Sequence, residues 1–201
     1  MIRALLDEIL AGRRMTEAEA LTLFSARGRE VWAIAAAADQ VREKRAGDAV
    51  TYVRNQNLNL TNICINSCGF CGFCRKIGDP DAYFYGPDEV LSRLRAARDR
   101  NVTEICTVSG LHPDFTAGDY IDLFRRIREE APAVHIHASN PQEVAYAAGQ
   151  SGVSTREVLG RMKEAGLGSL CGTAAEILVD GVRKEICPGK IGTAEWVRIV
   201  R

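Results

Sequence analysis

Residues 50–74 read VTYVRNQNLNLTNICINSCGFCGFC. The first half is a β-type run. The second half packs four of the chain's seven cysteines, Cys64, Cys68, Cys71 and Cys74, into a polar, glycine-bearing loop with the spacing C-x3-C-x2-C-x2-C. A strand that runs into a ligand-rich loop is how parallel α/β folds carry their sites, at the carboxyl ends of the strands.

The chain downstream repeats the strand-helix period. Amphipathic PDEVLSRLRAARDR (87–100) precedes β-type VTEICTVSG (102–110), then DYIDLFRRIREE (119–130), then β-type AVHIHAS (133–139). Strands separated by helices of 10 to 15 residues predict βαβ units and a parallel sheet. A further helix is expected over STREVLGRMKEAG (154–166) with Gly166 as its cap, then a short strand near LGSLCG (167–172) and the pattern AAEILVDGVRKEI (174–186). Upstream, Thr16 and Glu19 form a capping box, and a second helical pattern runs from about Arg29 to Arg45 until Gly47 stops it. The expected organisation is a helical segment over 1–48 followed by an α/β core over 49–201.

Composition excludes several classes. The chain has 201 residues, 46% apolar and 26% charged, with a formal net charge of zero, so no overall field favours nucleic acid or an anionic membrane. The longest clean apolar run, Val31 to Ala38, is far short of the roughly 18 residues a bilayer span needs. Asp7 and Glu8 stand where a secretory signal would be apolar. A cytoplasmic location is expected, where thiols stay reduced and clustered cysteines are more often metal-binding or catalytic than disulfide-bonded.

Three thiols within eight residues suit an iron-sulfur cubane, whose ligands approach three corners of one compact object. Structural zinc normally takes four ligands as two separated pairs, and no second pair is visible, so zinc is the weaker reading. Cys106 and Cys187 read as buried small hydrophobes.

Cys64-x3-Cys68-x2-Cys71, with Phe70 before the last cysteine, resembles the signature of the radical S-adenosylmethionine (SAM) superfamily. The resemblance implies a partial (β/α) TIM-type barrel preceded by the helical lead-in. It also implies a 4Fe-4S cluster on Cys64, Cys68 and Cys71 whose fourth iron takes SAM, with Cys74 as a spare thiol. In that superfamily an electron from the reduced cluster cleaves SAM to methionine and a 5′-deoxyadenosyl radical. The segments YVRNQNLNLTNIC, GLHPD, HIHASNPQEV, GTAAEIL, VRKEICPGK and TAEW further resemble the 4-hydroxyphenyl transferase subunit of FO synthase, of deazaflavin coenzyme biosynthesis. That implies transfer of the 4-hydroxybenzyl group of L-tyrosine to 5-amino-6-(D-ribitylamino)uracil, an electron donor, and a companion FO synthase radical SAM subunit as partner. Neighbouring alternatives are the futalosine-route enzymes of menaquinone synthesis and an inactive cluster-binding fragment.

By the same resemblance, Phe70, Ser109, Gly110 and Glu143 are expected to face SAM, Ser109 replacing the first glycine of a Gly-Gly type segment. His112 follows Gly110 at a strand end, and His135 and His137 alternate on one strand and so share a face. With Glu176 they are the candidate catalytic or substrate-binding side chains. About four strands are countable before the chain stops inside a helical pattern at EWVRIVR, half of the family's eight-unit barrel. A truncated or interrupted member with an open sheet edge is therefore expected.

Overall fold

Thr16 and Glu19 do close a capping box: the Thr16 hydroxyl accepts from the Glu19 amide and the Glu19 carboxylate accepts from the Thr16 amide. In the computed structural model, which describes residues 2–201 apart from the side chain of Arg98, this box starts the second of three N-terminal helices. These are α1 (Ile2–Leu10), α2 (Glu17–Phe24) and α3 (Arg29–Ala46). The first was not expected from the sequence. Gly47 stops α3 with φ 59°, a conformation that costs glycine nothing. Ile2, Leu6, Ala26 and Ala37 make the small core of this unit, Met1–Tyr52, and Lys44 Nζ donates to the Leu10 carbonyl at the end of α1. No helix among the described residues is long and apolar enough to cross a membrane.

The second unit, Val53–Arg201, holds a four-stranded sheet: β1 (Asn55–Asn57), β2 (Glu104–Thr107), β3 (His135–Ala138) and β4 (Ser169–Leu170). The spatial order is β1-β2-β3-β4 and every pair is parallel, as the strand-helix period predicts. Between and after the strands run α4 (Pro87–Arg98), α5 (Ala117–Glu130), α6 (Pro141–Ser151), α7 (Thr155–Glu164), α8 (Asp180–Ile186) and α9 (Thr193–Val200). Capping is local: Asn140 and Ser154 accept from amides three residues on, and Thr116 and Asp119 form a second box. Helix α7 caps at Ala165, and Gly166 follows with φ 111°.

The two faces of the sheet differ sharply. Ile105, Ile136 and Ala138 are fully buried in one core with Leu94, Phe124, Ile127, Val144 and Met162 from the helices. At about 1.5–3 kcal/mol for each fully buried large apolar side chain, this helical face stabilises the unit. The opposite face carries Asn55 and Asn57, Glu104 and Cys106, His135 and His137, and Ser169, aligned across the strands by the register. A parallel sheet covered on both faces would be apolar throughout, whereas here the apolar residues Ile105, Ile136 and Ala138 all lie on the one face. That division is what a barrel wall needs when its lumen is polar.

Candidate functional site

Beyond β1 the chain enters the cysteine loop, which is tied to the end of β2 by main-chain hydrogen bonds. Gly110 N donates to the Thr61 carbonyl and Ile65 N to the Leu111 carbonyl, while the Ser109 hydroxyl accepts from Leu60 N at 2.8 Å. Gly110 lies so close to the Ile63 carbonyl that a Cβ there would overlap it, which is why the position needs glycine. The return of the loop is closed by Cys64 N to Arg75 O and Arg75 N to Asn62 O. Lys76 Nζ gathers the Cys64 and Asn66 carbonyls at 2.9 and 3.0 Å, neutralising carbonyl dipoles that would otherwise crowd one another.

A cavity of about 230 Å³ opens above this loop at the carboxyl ends of the strands. Cys64, Cys68 and Cys71 line it with Phe70, Ser109, Gly110, Glu143 and Glu176, so these expected site residues meet in one place. Cys74 is also at its edge, but its thiol donates to loop carbonyls, nearest that of Asn66 at 3.2 Å. The sequence marked none of Lys190, Asn140 or Gln142, which complete the wall.

His112, His135 and His137 are absent from that wall. The His112 ring packs on Phe84 at 5.0 Å between centroids, and its Nδ1 accepts from Asp114 N. His135 and His137 do share the polar face of the sheet, where both ring systems meet the Ser169 hydroxyl, at 2.7 and 2.6 Å. Gly168, without a Cβ, leaves room for the His135 ring.

Glu143 is 1% exposed. Although Glu143 stands in the first turn of α6, its side chain turns inward. Its Oε1 accepts from Ser109 N at 3.3 Å and the Tyr120 hydroxyl at 3.4 Å, and its Oε2 is buried without a hydrogen-bond partner. Burial pushes its pKa up to about 8, against these hydrogen bonds, which pull it down. A buried carboxylate oxygen left without an internal partner beside a cavity fits a ligand that brings a hydrogen-bond donor or a cation. Burial also raises the Cys68 thiol, and the Lys190 charge opposes that rise.

Two segments from the end of the chain finish the site. Residues 174–177 are not helical: Ala174 and Glu176 have φ 65° and 40°, and α8 starts only at Asp180. The buried guanidinium of Arg183, 3% exposed, holds this strained turn by donating to the Ala174, Ala175 and Ile177 carbonyls, and to Ile191 on the far side. The end of α8 and the CPGK turn after it hold the cysteine loop, through Gly69 N donating to Ile186 O at 2.7 Å and the close approach of Gly189 to Asn66. In sequence Arg183 looks like any basic residue on a helix surface; only its burial reveals the role.

Cys187 is buried as expected, but Cys106 is not a plain core thiol: it faces the polar side of the sheet, 4.0 Å from Cys171 sulfur to sulfur.

The radical SAM superfamily model matches residues 58–201. The chain is 61% identical over 200 residues to the 5-amino-6-(D-ribitylamino)uracil--L-tyrosine 4-hydroxyphenyl transferase of Methanoculleus marisnigri, covering 100% of this chain and 54% of that protein. It is 60% identical over 200 residues to the protein of the same name from Methanosphaerula palustris, covering 55% of it. It is 42% identical over 187 residues to the FO synthase of Streptomyces avermitilis, covering 93% of this chain and 22% of that protein. The chain thus spans about half the length of the curated transferases it matches. In fold it is similar to the FeFe-hydrogenase maturase HydG from Carboxydothermus hydrogenoformans, with TM-score 0.74, 21% identity, and coverage of 99% of this chain and 44% of that one. A second HydG crystal structure gives TM-score 0.78 at 15% identity, covering 99% of this chain and 42% of that one.

Proposed function

The chain belongs to the radical SAM superfamily, and from that premise we propose that it is the cluster-bearing part of a transferase that joins the 4-hydroxybenzyl group of L-tyrosine to 5-amino-6-(D-ribitylamino)uracil. The single observation that carries this reading is the 61% identity, along the whole chain, to a relative named for that reaction.

The superfamily uses a 4Fe-4S cluster and SAM, which when bound supply one-electron cleavage of the sulfonium and the radical that takes a hydrogen atom from substrate. The residues present suit both groups. Cys64, Cys68 and Cys71 offer three soft, free thiols on one loop at one cavity, leaving one iron for another ligand. Glu143 Oε2, buried and unpaired, is placed to accept from a cationic amine or a hydroxyl of SAM. Gly110, bare of any Cβ, admits the Ile63 carbonyl and so lets the cysteine loop lie against the end of β2 at the cavity. Phe70 lines the cavity beside the cluster cysteines, with Lys190 Nζ 5.2 Å from its ring centroid. The Glu176–Lys190 ion pair lines the same cavity.

His112, His135, His137 and Glu176 remain the candidate substrate-side groups, the two strand histidines acting deeper on the polar face of the sheet. An external electron donor and a companion FO synthase subunit complete the system. The cytoplasm is its place, since free thiols and an oxygen-labile cluster need a reducing compartment.

The test is anaerobic cluster reconstitution followed by incubation with SAM, dithionite, tyrosine and the ribitylaminouracil. It is run on this chain and on a chimera carrying the remaining part of the Methanoculleus relative. A coupled product with the mass of uracil plus hydroxybenzyl, formed with methionine and 5′-deoxyadenosine, is expected of the chimera. SAM cleavage without coupling, or turnover of a futalosine-route substrate, overturns the assignment.

A further inference from the structure

Cys106, His137 and Cys171 come from three different strands or strand ends, and their ligand atoms all lie within 4.8 Å of one another. The register explains the meeting. Cys106 on β2 is paired with His137 on β3, His137 with Ser169 on β4, and Cys171 follows Ser169 by two residues and so returns to the same polar face. The Cys171 amide is still bonded to the Ser139 carbonyl, which keeps this end of the chain laddered to β3.

Two outcomes are open to a pair of thiols so placed, and geometry separates them. The cysteines stand two strands apart, so their Cα atoms are roughly 9–10 Å apart or more, beyond the limit of about 7 Å for a disulfide. Their sulfurs, however, are 4.0 Å apart. Two thiolates on one tetrahedral ion with metal–sulfur bonds of about 2.3 Å stand about 3.8 Å apart. The spacing fits an ion between the sulfurs and does not fit a bond between them.

The histidine is also prepared. Ser169 Oγ is 2.6 Å from His137 Nδ1 and 2.7 Å from His135 Nε2. A hydroxyl has one proton, so it accepts from one ring and donates to the other. With His137 Nδ1–H donating to Ser169 and the hydroxyl proton directed to His135, the lone pair of His137 lies on Nε2. Metal-bound imidazoles are oriented by a second-layer acceptor in this way.

We infer that Cys106, His137 and Cys171 form a binding site for one soft divalent ion such as Zn²⁺, separate from the cysteine loop, with a fourth coordination position open to water or a substrate heteroatom. Two sulfurs and an imidazole select a thiophilic ion over Mg²⁺ or Ca²⁺. Loading replaces the two thiol protons with the ion and releases them to solvent, without any redox change. The site lies on the face of the sheet that a completed barrel would enclose, and none of its three ligands lines the cavity above the cysteine loop.

The probe is Co²⁺, titrated anaerobically into the full chain carrying Cys64→Ser, Cys68→Ser and Cys71→Ser so that the loop thiols do not compete. One equivalent should bind with thiolate-to-cobalt charge-transfer absorption and the ligand-field bands of four-coordinate cobalt, and Zn²⁺ should displace it. Adding Cys106→Ser, Cys171→Ser or His137→Phe should weaken binding about tenfold or more, whereas Cys74→Ser and Cys187→Ser should leave it unchanged. Absence of the charge-transfer band in a chain that circular dichroism shows to be folded overturns the site, as does a band that survives Cys106→Ser and Cys171→Ser together. Should the triple variant not fold, the unsubstituted chain and its Cys171→Ser form are compared for Zn²⁺ held against a chromophoric chelator. Loss of one tightly held equivalent supports the site and equal retention overturns it. None of these readouts depends on cluster loading or turnover, so the result stands apart from the proposed transferase activity.

Discussion

Lys190 Nζ lies 2.6 Å from Glu176 Oε1 in the cavity wall. The same ammonium is the charge that opposes the rise of the Cys68 thiol on burial. A cation beside thiolate ligands favours the more negative, reduced state of a cluster. Lys190→Met should therefore move the reduction potential of the reconstituted cluster to more negative values, by roughly 60 mV, the shift equivalent to a tenfold change at one electron. A potential titration followed by electron paramagnetic resonance reads this directly. An unchanged potential would mean that Glu176 already cancels the charge.

The cysteines of the loop should separate into two kinds. Cys64→Ala, Cys68→Ala and Cys71→Ala should each abolish the absorbance of the reconstituted cluster and SAM cleavage. Cys74→Ala should retain both, because its thiol is engaged with loop carbonyls and three thiolates are enough for a cluster with one open iron. Equal loss in the Cys74 variant would put the ligand register in error.

Glu143 should make stability depend on pH in a direction opposite to that of a paired carboxylate. Its folded pKa is raised to about 8, from an ordinary value of 4.5. Between those values the folded protein holds a proton that the unfolded chain releases, so stability falls as pH rises through this window and levels off above it. Urea denaturation of the ligand-free protein and of Glu143→Gln should show the two diverging from about pH 5 to about pH 8, the variant being favoured at the alkaline end. Parallel curves would show that the carboxyl is ionised and paired in the fold.

Arg183 should matter for stability more than its place on a short helix suggests. Arg183→Met leaves buried carbonyls of the 174–177 turn without donors, at about 1–3 kcal/mol for an orphaned group. Thermal melting should show the loss, and Arg183→Lys should recover part of it by restoring a cation with fewer donors. A melting temperature unchanged in Arg183→Met would show that the left-handed residues hold themselves.

Gly110→Ala should displace the Ile63 carbonyl and with it the adjoining Cys64, because the added Cβ overlaps backbone and not a movable side chain. Overpacking of this kind costs about 1–3 kcal/mol. The variant should fold with a lowered melting temperature and hold less cluster iron. Normal iron content would show that the loop can shift without losing its ligands.

Local chemistry in the sequence was enough for the elements and their order. The Thr16–Glu19 box, the stop at Gly47, the four parallel strands and the cysteine loop at their carboxyl end are each written within about ten residues of chain, because capping, period and turn formation are local. The helix over Ile2–Leu10 is equally local, but it has no acidic residue in its first turn and no basic residue in its last turn to announce it. The grouping of Cys64, Cys68 and Cys71 with Ser109, Gly110 and Glu143 at one rim also followed, since strand ends of a parallel sheet share a rim.

Tertiary structure decided what each polar side chain meets. Glu143 is expected at the site by resemblance, but its full burial and its contacts with Ser109 and Tyr120 come from the packing of α6 against other elements. Arg183 reads as a surface cation, and becomes a buried clasp only because residues 174–177 turn left-handed beneath it. Cys106 and Cys171 lie 65 positions apart in the chain. Their apposition over His137 depends on the register of three strands together, and register is fixed by packing across the sheet, which no single stretch of sequence encodes.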